Sequence, residues 1–165
     1  SKLLERNISR EVIEAVCSSG RVLSDIPDAV TRAECLDALV KSDAGISLVR
    51  AGVRVGKILS DDCSEKIDSA LLELDAERAL FDSFVANVQS KWSDARLSQK
   101  LNATDYKELS EALTTLSSPI EKFFENVMVE DPDTKKRNNR HALLNSIYKY
   151  FSAIGDFRYL KPLLP

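Results

Sequence analysis

Apolar residues in this chain recur three and four apart, and β-branched residues never alternate with polar ones over the length of a strand. A chain patterned in this way buries apolar surface only by packing helices along their stripes. The expected fold is therefore all-α, an antiparallel helical bundle. Ser9 reads as the N-cap of a first helix carrying Val12, Ile13 and Val16 and ending at Gly20. A break at Asp25-Ile26-Pro27-Asp28 precedes a second helix with Val30, Ala33, Leu36, Leu39 and Val40. Asp43 is the expected cap of a third, from about Ala44 to Leu59.

The polar run Ser60-Asp61-Asp62-Cys63-Ser64 is the best internal boundary, dividing an N-terminal three-helix part (1–60) from a C-terminal helical bundle (61–165). The second part opens with Ile67 to Leu74. A helix from about Asp75 follows, carrying Leu80, Phe81, Phe84, Val85 and Val88. Lys91 to Ala103 is polar and reads as the end of that helix and a loop. Thr104 is the expected cap of a helix with Leu109, Ala112, Leu113 and Leu116. Ser118-Pro119-Ile120-Glu121 has the pattern of a capping box with proline at the first helical position. That helix aligns Ile120, Phe123, Phe124, Val127 and Met128. Asp131-Pro132 repeats the signal and opens a last helix to about Ala153, stopped by Gly155.

Composition excludes several classes. The 165 residues include five Gly and five Pro, too few for a linker or a collagen-like chain. No apolar run approaches the roughly 20 residues of a membrane helix. Cys17, Cys35 and Cys63 lie far apart and read as small core fillers in a reducing compartment. His141 is the single histidine, which removes most Ser-His-Asp chemistry and most His-ligated metal sites. Asp61-Asp62 and Glu130-Asp131-Asp133 lack calcium-loop spacing. Gly52-Val53-Arg54-Val55-Gly56-Lys57 is no phosphate loop, because only three residues separate the glycines and Ile58 replaces Ser or Thr. Instead Gly45, Gly52 and Gly56 lie on one side of the third helix and admit a close neighbour. Trp92, Tyr106, Tyr148 and Tyr150 have the chemistry to stack on bases, but packing is their default. The start at Ser1, without Met, reads as a piece cut from a larger chain.

The net charge of −3 conceals a segregation. Ala44 to Ser60 holds no acid and three bases, Arg50, Arg54 and Lys57. Lys135 to Gly155 holds no acid and five bases, Lys135, Lys136, Arg137, Arg140 and Lys149. Eight positive charges therefore stand against −11 elsewhere. On a helix Arg50, Arg54 and Lys57 fall within about 60° of one another. Either a polyanion relieves their repulsion or acids from another helix do. Arg140 falls on the apolar face with Leu144, Ile147 and Phe151, where an arginine needs an acid partner.

The segment Leu116-Ser117-Ser118-Pro119-Ile120-Glu121-Lys122-Phe123-Phe124-Glu125-Asn126-Val127-Met128-Val129 closely resembles the L-x-x-P-[IV]-[DE]-x-F-F-[DE]-x-V-M-V segment of the β subunit of bacterial-type glycyl-tRNA synthetase. Arg137-Asn138-Asn139-Arg140-His141-Ala142-Leu143-Leu144 is similar to that family's R-x-N-R-L-x-L-L, and Ala51 to Leu59 to its A-x-K-R-V-x-N-I-L. The resemblance runs from about residue 8 to 161. Val53 and Lys57 replace the family's Lys and Asn, His141 replaces Leu, and Gln89 to Thr104 is longer than usual.

The resemblance implies an all-helical anticodon-binding domain that recognises the anticodon arm of tRNA(Gly). It also implies a parent ATP-dependent glycine–tRNA ligase, with ATP and Mg used in the α catalytic part, which is a separate subunit or fused. No catalytic residue, metal or cofactor is expected in this chain, nor any membrane. The expected tRNA contacts are Arg50, Arg54, Lys57, Lys136, Arg137 and Arg140, the last with a structural alternative. The departures suggest an organellar member, in chloroplast or mitochondrion if from a plant, with the bacterial cytoplasm as the alternative. A subunit-assembly domain without RNA contact is the other function the sequence leaves open.

Overall fold

Every element of regular structure among the described residues is helical, and none of them is a strand. The computed structural model describes residues 7–19, 25–61 and 66–165. The helices are α1 (Arg10–Cys17), α2 (Ile26–Val40), α3 (Asp43–Lys57), α4 (Asp75–Phe84), α5 (Asp94–Ser98), α6 (Ala103–Thr114), α7 (Ser117–Asn126) and α8 (Thr134–Ser152). A π-helical turn, Val85–Gln89, extends α4, and 3₁₀ segments occupy Ser69–Leu71 and Phe157–Leu163. The expected helix end at Gly20 and the stretch Asp62 to Ser64 lie outside the described residues, as does Cys63.

Local chemistry sets the boundaries. Ser9 caps α1 as expected, its Oγ accepting from the Val12 N–H at 3.4 Å. The break expected at Asp25-Ile26-Pro27-Asp28 shrinks to Asp25, which caps α2 while Ile26, Pro27 and Asp28 form its first turn, and three other caps fall a residue or two from their expected places: Ser42 caps α3, Asn102 caps α6 and Asp133 caps α8. In each case the true cap is the last polar residue in an extended conformation. The Ser118-Pro119-Ile120-Glu121 box is corrected. Thr115 and Leu116 stay in the αR region, so α6 passes into α7 with no extended residue between them. Ser118 and Pro119 sit inside the first turn of α7, where proline's missing N–H costs nothing. Met128 lies beyond the end of that helix and is exposed, and Cys17 is an exposed residue rather than a core filler. Cys35 is mostly buried, and burial pushes its thiol up to about 11.

One apolar cluster runs from Ile8 to Leu160. At its centre α3 packs on α2, α6, α7, α8 and the C-terminal 3₁₀ segment, which also packs on α1. The three glycines of α3 make this possible. A Cβ at Gly45 would lie 2.0 Å from the Leu39 carbonyl oxygen. At Gly52 it would lie 2.6 Å from a Phe157 ring carbon and 2.8 Å from Phe151. At Gly56 it would meet Arg158 Cγ at 2.7 Å and the Tyr148 ring at 3.0 Å. Trp92, Tyr106, Tyr148 and Tyr150 are all buried, and the Tyr150 hydroxyl donates to the Trp92 carbonyl at 3.0 Å.

Two buried polar networks close the fold. Arg32, fully buried, pairs with Asp28 at 2.9 Å and donates to Ser19 Oγ at 2.7 Å and to the Ile154 carbonyl at 3.4 Å. The Tyr106 hydroxyl donates to the same Asp28 carboxylate. Asp156 donates its N–H to the Ala15 carbonyl at 2.8 Å. Its carboxylate accepts from Arg158 at 2.7 and 2.9 Å and from the Tyr148 hydroxyl at 2.9 Å. Burial alone would raise the Asp156 pKa, but the Arg158 and Tyr148 hydrogen bonds outweigh it and hold the carboxyl below its usual range.

Two outcomes are expected. Gly52→Ala lowers unfolding free energy in urea by about 1–3 kcal/mol, because two aromatic rings must give way. A carboxyl with a depressed folded pKa stabilises fully above its unfolded value of about 4, and that contribution is lost as pH falls through the folded value. Asp156→Asn therefore removes part of the acid limb of the stability curve, measured by urea unfolding from neutral to acid pH.

Candidate nucleic-acid interface

The outer side of α3 follows from the inner one. Leu48, Val49, Ala51, Gly52, Val53, Val55 and Gly56 are buried, which leaves Ser47, Arg50, Arg54 and Lys57 exposed on the opposite stripe. Arg50 and Arg54 line a groove between α3 and α7, together with Ser47, Ser117, Ser118 and Glu121. The Arg54 guanidinium lies over the Phe124 ring of α7, 4.6 Å from its centroid. Lys57 points toward Lys161 of the C-terminal 3₁₀ segment. Contact with that ammonium, followed by desolvation and charge repulsion, lowers the Lys57 pKa.

Among the described residues, Arg50, Arg54, Lys57 and Lys161 form no ion pair with a carboxylate. Glu121 stands in the same groove and likewise makes none. Lys161 and Glu121 were not singled out from the sequence as interface residues. Arg158 and Lys161 are three apart, the 3₁₀ period, but no local pattern says which helix such a turn will face.

The second cationic stretch is built differently. Asp133 caps α8 by accepting from the Lys135 and Lys136 N–H groups at 3.0 and 3.4 Å. Lys136 pairs with Glu73 at 2.9 Å, and that hydrogen bond raises its pKa. Arg137 donates to the Asp131 carbonyl at 3.4 Å. Arg140 is 2% exposed, and it pairs with Glu77 at 3.0 Å and Asp131 at 3.2 Å and donates to the Met128 carbonyl at 2.7 Å. Desolvation works against the charged Arg140, but Glu77 and then Asp131 outweigh it and raise its pKa. Lys149 pairs with Asp94 at 2.6 Å. The structure thus joins Arg50, Arg54 and Lys57 with Lys161, whereas Lys136 and Arg140 belong to a cluster with Glu73, Glu77 and Asp131.

His141 Nε2 lies 2.5 Å from a Glu130 carboxylate oxygen. Among the described residues no group of three His, Cys, Asp or Glu is placed to hold a metal, and no helix is long and apolar enough to cross a membrane.

No family model matches the chain. It is similar to the protein named glycine–tRNA ligase β subunit of Cereibacter sphaeroides, 32% identical over 161 residues, which cover 93% of this chain and 22% of that subunit. The subunit of the same name from Vibrio parahaemolyticus is 31% identical over 160 residues, covering 95% and 22%. That of Syntrophotalea carbinolica is 31% identical over 155 residues, covering 94% and 21%. The chain spans about a fifth of the length of the curated relatives it matches, at their C-terminal end.

Within the second stretch the two carboxylates differ in weight, because Glu77 is buried and Glu73 is half-exposed. Glu77→Ala takes the closest carboxylate from the buried Arg140, leaving Asp131 at 3.2 Å and Glu73 at 3.8 Å, and costs about 1.5–3 kcal/mol of stability. Glu73→Ala, at a half-exposed pair, costs under about 1 kcal/mol. Urea unfolding of the two variants checks both figures.

Proposed function

Because this chain belongs to the glycine–tRNA ligase β-subunit family, whose C-terminal fifth it matches, we propose that it is the anticodon-arm recognition module of an ATP-dependent glycine–tRNA ligase. In this reading it binds tRNA(Gly) and leaves the chemistry, with its ATP and Mg, to the α catalytic part. Holding the anticodon arm reduces the choice among tRNAs and sets the acceptor end at a distant catalytic site. Both parts of the chain serve the module: α3 comes from residues 1–60, and α7 and the 3₁₀ segment come from 61–165. The relatives named above are bacterial, which favours the cytoplasmic alternative and gives no support to the organellar one.

The observation that carries this reading is the row of four cations, Arg50, Arg54, Lys57 and Lys161, without a carboxylate partner among the described residues of a chain of net charge −3. Two ammonium groups held against each other are relieved by a phosphate, and the released counterions drive association. Arg54, steadied on Phe124, offers both hydrogen bonds and a planar face to an unstacked loop. Lys136, Arg137 and Arg140 are retained as candidate contacts of lower rank, because carboxylates or a backbone carbonyl already engage them.

Filter binding of a tRNA(Gly) transcript across a salt series tests the proposal. Arg54→Ala and Lys161→Ala are each expected to weaken binding about tenfold. Each also reduces the slope of log affinity against log salt by roughly 0.7–0.9. Stability changes by no more than about 1 kcal/mol. Unchanged affinity in both variants removes this surface from the interface, and absence of binding at low salt turns the case toward subunit assembly.

A further inference from the structure

We propose that the Lys57 amine, held against Lys161, is a site of covalent acylation by small acyl phosphates. The inference stands apart from the RNA-binding reading, since it concerns the chemistry of one amine and its test uses no nucleic acid.

The fold forces the two amines together. Lys57 is the last residue of α3, and Lys161 belongs to the 3₁₀ segment Phe157–Leu163. That segment is anchored by Phe157 and Leu160, both fully buried, and by the pairing of Arg158 with Asp156 at 2.7 Å. Burial of two large apolar side chains outweighs the repulsion of two exposed like charges in water. No carboxylate relieves that repulsion. There is no acid between Ala44 and Ser60, and the buried Asp156 is already taken by Arg158 and the Tyr148 hydroxyl.

An ammonium has three donors and no acceptor, so two lysine nitrogens meet in a hydrogen bond only when one of them has shed its proton. The deprotonated amine carries the lone pair that a nucleophile needs. Contact with Lys161 lowers the Lys57 pKa, although the free carbonyls at the end of α3 favour the charged form. Lys41, Lys136 and Lys149 are the contrast. Each is held by a carboxylate, at 2.7, 2.9 and 2.6 Å, which keeps the ammonium charged.

Lys161 also selects the donor. Its ammonium, with Arg54 one turn before Lys57 on α3, attracts the phosphate of an acyl phosphate and balances the charge of the leaving group. The Lys57 ammonium first gives a proton to water. The Nζ lone pair then attacks the carbonyl carbon and a C–N bond forms. The C–O bond to phosphate breaks, and phosphate leaves with that electron pair and with a second proton from the nitrogen. The product is a neutral amide, so one cation is lost from the row.

The test incubates the full-length protein that contains this chain with acetyl phosphate in mildly alkaline buffer. Peptide mass spectrometry reads the rate at each lysine. Lys107 and Lys122, exposed and without an ion pair among the described residues, are the internal references. Lys57 is expected to react about 5- to 10-fold faster than either. In Lys161→Gln, a change at an exposed position, its rate falls to within about twofold of the references. With N-hydroxysuccinimidyl acetate, an uncharged donor, the lead of Lys57 in wild type is smaller. Equal rates at the three lysines in wild type, or a lead that survives Lys161→Gln, overturns the proposal and leaves the RNA-binding reading untouched. An equal or larger lead with the uncharged donor overturns the preference for acyl phosphates.

Discussion

The architecture depends on a helix with a nearly bare side. Along α3, glycines at 45, 52 and 56 remove the atoms that would keep its neighbours at ordinary helix-packing distance. Phe151 and Phe157, edge to face with ring centroids 4.9 Å apart, fill the space at Gly52, and Tyr148 and Arg158 fill that at Gly56. This contact draws the end of the chain onto α3 and carries Lys161 to Lys57. The exposed cationic row is thus a product of the buried packing, since the same helix cannot turn both faces inward.

A second theme is the sorting of arginines by environment. Arg32 and Arg140 are buried, and each is matched by carboxylates and carbonyls. Buried pairs of this kind fix which elements meet more than they add net stability. Arg32 joins α2 to the end of α1 and to the end of α8, and Arg140 joins α8 to α4 and to the segment after α7. Arg50 and Arg54 are left in water. A count of charge along the chain treats these four alike, and only the fold separates structural cations from those available to a partner.

Much of this was legible beforehand. The 3–4 spacing of apolar residues marked the principal helices, and the position of Arg140 among Leu144, Ile147 and Phe151 announced a buried charge in need of an acid. The close approach at Gly52 and Gly56 was readable from their shared helix side. What escaped was non-local. A capping box at Ser118 looks the same in sequence whether the preceding residue is extended or, as Leu116 is, still helical. The 3₁₀ course of Phe157–Leu163 past Gly155 has no periodicity long enough to detect. Glu73 and Glu77 lie some sixty residues from the cations they neutralise, and Lys161 lies about a hundred from Lys57, so neither relation has a signature in a local window.

The return of the chain's end onto its beginning also sets a condition on biosynthesis. Gly52 leaves the ribosome 105 residues ahead of Phe157, which at ordinary elongation rates is an interval of roughly 5–20 s. Until then Gly52 lacks Phe157 and Gly56 lacks Arg158, and until shortly before, Arg32 lacks the Ile154 carbonyl that will receive it. The contacts of Phe157 with Gly52 and of Arg158 with Gly56 are therefore among the last that the emerging chain can complete.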